Sequence, residues 1–390
     1  MRRRARRAPP SGSCCRAKSR ARARRRPAAS SAPAAPSPWP TAPRSCRPCA
    51  KSLPIIGKPV SVTISRSDRT GRDTAPTVLV AGGRGFVGSH VVRALAGAGF
   101  RPVLFGPAMA EDRLADLAGR YDEIQGSIED RAGLAAAFAE ARPSLVASCV
   151  AHGVGKLGLM RSGEAEADAA FAVNVAGHGK LIDAARAAGI RRLVWTSSTV
   201  VYGPASDYAD GPVDEDDRSA PTTTYGLTKA MAEALSVFHA RRHGLDIVGL
   251  RLPLILGPGL WYQGAASAIA DVFAAARGGQ AARITFHDRP VDLMHVADVA
   301  DAVLAVLAHA GPLEPVYNLK GFEASLPDLI AAVQRQAPGA RISLDRIEPA
   351  LLFPLIDGGR LAAATGFVAR HDLDGLVRAL LSPEAEHIHD

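Results

Sequence analysis

Acidic residues are scarce at one end of this 390-residue chain. Residues 1–75 hold 19 Lys/Arg against 2 Asp/Glu, and the remainder holds 28 against 36. The net charge of +9 therefore belongs to the N-terminal segment, and the rest of the chain is mildly acidic. The basic balance is then no sign that the folded part binds nucleic acid. Long apolar runs are missing too. No stretch of about 18 apolar residues is free of charges and helix breakers, which excludes a membrane-spanning helix. Cysteine is nearly absent beyond the first 75 residues. Cys14, Cys15, Cys46 and Cys49 lie within them, leaving Cys149 alone. One thiol cannot form an internal disulfide, which fits a reducing compartment and a cytoplasmic protein. No metal site is expected. Cys46-Arg-Pro-Cys49 lacks the second pair a zinc site needs, and His152, His178, His239 and His243 share no ligand spacing.

Residues 1–75 are rich in Arg, Ala, Pro and Ser and show no hydrophobic period. Such a composition buries too little surface to offset its ordering entropy, so a disordered tail is expected. It reads as a targeting segment, as a basic arm for nucleic acid, or as an upstream extension with no role, such as a mis-set translation start. Pro33, Pro36, Pro38 and Pro40 spoil the amphipathic helix that targeting needs. The extension without a role is the expectation here.

From Thr77 onwards, short β-branched runs alternate with helical patterns. Strands are expected at 77–81, 102–105, 144–149, 192–197 and 246–251. Helices are expected at 86–98, 131–141, 164–188 and 224–243. This alternation predicts an α/β fold, a doubly wound parallel sheet with helices on both faces. After Pro253 the pattern is less regular, which suggests a smaller C-terminal portion. The expected division is 1–75 tail, 76–253 dinucleotide-binding domain, and 254–390 mainly the smaller portion, with some segments returning to the first domain.

Gly82-Gly83-Arg84-Gly85-Phe86-Val87-Gly88 lies between the first strand and the first helix. Gly82 permits a tight turn, Gly85 a close approach by a pyrophosphate, and Gly88 close packing of helix on strand. The N–H groups of the helix start, around Phe86 and Val87, face the phosphates. The order strand, loop, helix makes this a dinucleotide site. An NAD site usually places an acid at the end of the second strand, to hold the ribose 2′-hydroxyl. Here that strand runs into Gly106-Pro107, with no carboxylate before Glu111. Arg84, inside the loop, can reach a 2′-phosphate. The cofactor is therefore NAD or NADP, with a lean to NADP.

Tyr225-Gly-Leu-Thr-Lys229 puts a phenol and an ammonium one helical turn apart. A neighbouring cation favours the phenolate, which can take a proton from an alcohol while hydride leaves for a nicotinamide. Upstream, Trp195-Thr-Ser-Ser198 ends a strand, and strand C-termini of open α/β sheets face the ligand crevice. A hydroxyl there can hydrogen-bond a substrate oxygen.

Further motifs follow in order: Asn174-Val-Ala-Gly177, Thr196-Ser-Ser198-Thr-Val-Val-Tyr-Gly203, Arg251-Leu-Pro253, Gly257-Pro-Gly259 and His295-Val-Ala-Asp298-Val-Ala300. With the glycine loop and the Tyr–Lys pair, the chain over 77–383 resembles an extended short-chain dehydrogenase/reductase. The particular likeness is to the NAD-dependent epimerase/dehydratase family, which includes UDP-galactose 4-epimerase. The resemblance implies a Rossmann domain with Tyr225 as acid/base, Lys229 as its electrostatic partner and ribose anchor, and Ser198 as donor to the substrate oxygen. Ser198 is preferred to Ser197 because it stands four residues before Tyr202. Asn174 would contact the cofactor or hold a water. Ser127 would bond the adenine, beside Ile128. The backbone of Cys149, Val150 and Ala151 would line the nicotinamide side, and Pro253 would also touch the cofactor. A homodimer through the helices at 164–188 and 224–243 is implied as well.

The departures narrow the chemistry. The family's 4,6-dehydratases have Asp-Glu where this chain has Thr199-Val200, which points away from dehydration. Many nucleotide-sugar members have Arg directly before the Asp that precedes the His-Val segment, where it binds a substrate phosphate. Here Val291 precedes Asp292, and Arg289 is two residues away. Trp261 and Tyr262 either line a substrate pocket or only pack. The expected activity is epimerisation or reduction at a secondary alcohol or ketone of a small molecule, a sugar or nucleotide sugar. The alternatives are an NADPH-dependent reductase of a non-sugar ketone, and a non-catalytic cofactor-sensing or nucleic-acid-binding protein on the same fold.

Overall fold

The computed structural model describes residues 75–109, 112–260 and 267–382. The segment before residue 75 with its four cysteines, Glu111, Trp261 and Tyr262 lie outside the described residues. Among the described residues, no helix is long and apolar enough to cross a membrane, and no group of three or more metal-ligating side chains converges.

The chain opens with β1 (Thr77–Ala81), α1 (Phe86–Gly97), β2 (Arg101–Gly106), β3 (Asp122–Gln125), α2 (Arg131–Ala141) and β4 (Leu145–Ser148). Three helical pieces follow, α3 (Leu159–Ala165), α4 (Ala167–Phe171) and α5 (His178–Ala187), then β5 (Arg192–Ser198), α6 (Thr224–His243) and β6 (Ile247–Leu252). These strands belong to one seven-stranded sheet of order β10-β6-β5-β4-β1-β2-β3, where β10 is Val316–Asn318. Every pairing in it is parallel. The order reverses between β1 and β4, so the ligand crevice lies beyond their C-terminal ends.

The two faces of the sheet explain the unbroken apolar strands. Val78 and Val80 face a core shared with Val91 and Leu95 of α1 and with Val299 and Val303 of α8 (Val296–Ala308). Leu79 and Ala81 face the opposite core, with Leu134 of α2, Leu181 of α5 and Ala232 of α6. Helices on both faces bury the central strands β4, β5 and β6 throughout, the pattern of a doubly wound Rossmann-type sheet.

Pro253 stands between β6 and β7 (Leu254–Leu256), where the chain leaves the large sheet. Proline has no N–H with which to continue the ladder. A three-stranded sheet of β11 (Phe322–Ala324), β9 (Val291–His295) and β7 follows, and a two-stranded sheet pairs β12 (Ile342–Arg346) with β8 (Ala282–Phe286). Their apolar faces join a separate core with α7 (Ser267–Gly278), α9 (Leu326–Gln336) and α11 (Leu373–Leu381).

One local expectation fails, and one strand carries no sequence signal. The pattern over 164–188 reads as one helix, but Glu166 leaves the helical region at φ −136° and ψ 64°, and 172–177 is a π-helical turn. A π turn carries one extra residue, and Asn174, within it, bonds inward rather than continuing a solvent face. β3 was not visible as a strand because Asp-Glu-Ile-Gln has a single large apolar residue. As an edge strand it needs little more.

Candidate active site

The glycine loop joins the C-terminal end of β1 to α1. Gly82 takes φ +75°, and its N–H donates to Phe105 O at 2.9 Å, holding the loop against β2. A Cβ on Gly88 would stand 2.1 Å from Gly82 O and 2.9 Å from Gly83 Cα. Only glycine lets the first turn of α1 sit this close to the loop. No side chain caps that turn and no acidic residue lies in it, so its N–H dipoles point into the crevice. A cradle that a Cβ would fill, beside an uncapped helix start, fits the pyrophosphate of a dinucleotide.

Arg84 does not stand ready for a phosphate. Its Nε and Nη2 each donate to Glu123 of β3 at 2.6 Å, and its Nη1 to Asp112 at 3.1 Å. The pair holds the Glu123 carboxyl below its usual range and the guanidinium above its own. The argument for NADP drawn from Arg84 is therefore corrected: its charge is already met by two carboxylates, a loop-to-edge-strand pairing that spacing alone does not reveal.

The end of β4 adjoins the loop. A Cβ on Gly82 would meet the carbonyl carbon of Cys149 at 3.2 Å and Val150 Cγ2 at 3.3 Å. Burial pushes the Cys149 thiol up to about 12, which leaves it inert. Lys229 reaches this place from α6. Its Nζ donates to Thr196 O at 2.8 Å, lies 3.5 Å from Val150 O, and stands 5.7 Å from the Tyr225 ring centre. Tyr225 and Lys229 are both buried, and burial pulls the ammonium down to about 8. A Cβ on Gly226 would stand 2.4 Å from Val200 O. Glycine after the tyrosine is thus what lets α6 lie against the chain just past Ser198.

The two serines divide their tasks. Ser197 Oγ donates to Glu233 Oε1 at 2.6 Å. Ser198, on the other side of the strand by alternation, accepts a 3.4 Å bond from Val200 N, and accepting leaves its hydroxyl hydrogen to donate. Asn174 bonds within the protein. Its Oδ1 accepts from His152 N at 2.8 Å and its Nδ2 donates to Thr228 Oγ1 at 3.0 Å. It ties the segment after β4 to the helix that carries Tyr225. Ser127 is exposed, and its Oγ accepts from Glu129 N at 3.2 Å. Ile128 is buried beneath Gly177.

Sequence reasoning assigned no role to Glu233 or Arg251. Arg251 Nε and Nη2 donate to the two Glu233 oxygens at 2.9 and 2.7 Å, and its Nη1 donates to the Tyr202 hydroxyl at 2.7 Å. That hydroxyl donates in turn to Asp214 O at 2.7 Å. Two signals were available: an arginine ending an otherwise apolar buried strand must be paired, and Tyr225, Lys229 and Glu233 recur every four residues along one helix face. In the smaller portion, Arg289 is exposed, and a cation near Asp292 is Lys320, 3.9 Å away.

Fold and loop define a dinucleotide-binding α/β protein. The chain belongs to the NAD dependent epimerase/dehydratase family, matched over residues 78–319, and is an enzyme of that family. Similar curated proteins include UDP-glucose 4-epimerase of Azospirillum brasilense, 30% identical over 80% of this chain and 92% of its own length. UDP-glucose 4-epimerase of Rhizobium leguminosarum bv. trifolii is 29% identical over 78% of this chain and 95% of its own. The fold is shared with the NAD complex of Thermus thermophilus UDP-glucose 4-epimerase, at TM-score 0.68 and 24% identity over 80% of this chain and 98% of that one.

Proposed function

We propose that the protein is an NAD-dependent sugar epimerase: it takes hydride from a secondary alcohol carbon of a sugar and a proton from that carbon's hydroxyl, then returns hydride to the other face and the proton to the oxygen. The observation that carries this reading is the buried Lys229 ammonium between Thr196 O and the Tyr225 ring, at the strand ends beside the glycine loop. Two relatives near 30% identity over most of both chains are UDP-glucose 4-epimerases, which favours epimerisation of a nucleotide sugar over net reduction.

Gly82, Gly83, Gly85 and Gly88 with the start of α1 would hold the dinucleotide, and the ends of β4 and β5 would flank its nicotinamide. When bound, NAD would accept hydride from the alcohol carbon and give it back. Tyr225 takes the hydroxyl proton as the carbonyl forms and returns it as the alcohol re-forms. Lys229 stabilises the phenolate that exists before the proton is taken and again after it is returned. Ser198 donates to the same oxygen and steadies its negative charge. Leu227, Met231 and Phe238 lie exposed on α6, which supports a homodimer through this helix.

The test is interconversion of UDP-glucose and UDP-galactose without net NADH formation. Tyr225→Phe should lower turnover by about two to four orders of magnitude while NAD still binds; unchanged turnover rejects the assignment. One observation favours a second reading, reduction of a non-sugar ketone: Val291 precedes Asp292 and Arg289 is exposed, so no arginine is placed there for a substrate phosphate. Stoichiometric consumption of reduced cofactor with ketones, and none with UDP-sugars, would establish it.

A further inference from the structure

We infer that Glu123, assisted by Asp112, sets the choice of NAD over NADP by holding Arg84 across the end of β2. This rests on the dinucleotide reading of the glycine loop given above. In the sheet, β2 lies between β1 and β3. Its last residue is Gly106, whose carbonyl accepts from Gly126 N at 3.0 Å, so the chain just past β3 closes on the same edge. The adenosine ribose of a Rossmann-bound dinucleotide meets the sheet at this strand end, where an acid usually holds the 2′-hydroxyl. Here the acid comes from the neighbouring strand. Glu123 is the register partner of Leu104, which puts it on the α1 face of the sheet. From there it meets Arg84, which reaches over from the loop after β1.

The pairing is bidentate, two near-parallel bonds of 2.6 Å, the geometry that fixes a guanidinium most firmly. Both side chains are largely shielded, at 18% and 23% exposure, so water screens them little. An arginine in this loop would ordinarily welcome a 2′-phosphate. Clamped as it is, it cannot turn to one without giving up both bonds and leaving Glu123 facing a second anion. Asp112 adds a further negative charge on the same cation. A ribose with a free 2′-hydroxyl brings no charge and meets none of this repulsion.

The experiment is calorimetric titration of the full-length protein and its variants with NAD and with NADP, followed by melting with each nucleotide. The wild type should bind NAD at least about tenfold more tightly than NADP. Glu123→Gln keeps the shape but loses the charge. It should narrow that ratio by about tenfold or more, through tighter NADP binding. Asp112→Asn should narrow it less. Adding Arg84→Met to Glu123→Gln should remove the gained NADP affinity, because the freed guanidinium is what the phosphate binds. An unchanged ratio in Glu123→Gln, or a wild type that binds NADP equally or better, overturns the inference and leaves the dinucleotide reading intact. Binding of neither nucleotide by a cooperatively melting wild type would overturn that reading instead.

Discussion

Glu233→Ala is the sharpest test of what holds α6 in place. The Glu233 carboxylate accepts from Ser197 Oγ, Arg251 Nε and Arg251 Nη2. Its side chain is 8% exposed and that of Arg251 is 6% exposed. Removing the carboxylate leaves a buried guanidinium whose remaining hydrogen-bond partner among the described residues is the Tyr202 hydroxyl. Breaking one side of a buried pair costs about 3–5 kcal/mol. With an unfolding entropy of about 2.1 cal/mol/K per residue over about 300 residues, that corresponds to a melting point lower by about 5–8 °C. Scanning calorimetry reads the shift. Replacing both partners, Glu233→Met with Arg251→Met, should recover most of it, since two apolar side chains leave no uncompensated charge. A single variant that melts within about 2 °C of wild type would refute the reasoning, as would a double variant no better than the single.

Gly88→Ala should weaken NAD binding by at least about tenfold, because its Cβ would press on Gly82 O at 2.1 Å and open the loop; calorimetric titration measures it. Lys229→Met should abolish turnover yet melt no lower than wild type at pH 7. The unfolded lysine holds its proton up to pH 10.5 and the folded one only to about 8, so below pH 8 the fold carries a cost of about 3 kcal/mol, relieved between pH 8 and 10.5. The melting difference between the two proteins should therefore shrink across that window, and a constant difference contradicts the assignment. Acid should weaken the fold between pH 6.5 and 4. Burial lowers His178 to about 3 and both His90 and His295 to about 4, so the unfolded chain takes up protons there that the native one refuses. Asp292, raised to about 6 by burial, opposes this in part. Urea midpoints at pH 7 and 5 that coincide would count against it.

What the sequence shows and what it hides divide along physical lines. β1 and α6 were legible to the residue because an apolar run ending in glycines and a Thr223 cap before Tyr225 are local signals. Tyr225 and Lys229 were legible as a pair because helical spacing alone brings them together. The break at Glu166 and the π turn at Asn174 were not. They depend on His152 N and Thr228, which are 22 and 54 residues from Asn174 in sequence. Arg84 was misread for the same reason, since its partner lies 39 residues on.

These hidden contacts have a common task. A tyrosine that moves a proton needs its oxygen within hydrogen-bond reach of the substrate, and a displacement of about 1 Å can cost a hundredfold in rate. Three elements must therefore keep station: the end of β4, the end of β5 and α6. Lys229 bonds both strand ends at once, Asn174 fixes the segment after β4 to α6 through Thr228, and Glu233 fixes Ser197 of β5 and Arg251 of β6 to the same helix. Each bond joins two different elements, so none can form within an isolated helix or strand. On the proposed reading, the Tyr-x-x-x-Lys motif names the reacting groups. The polar side chains that no motif search would weight decide whether those groups stand where the chemistry needs them.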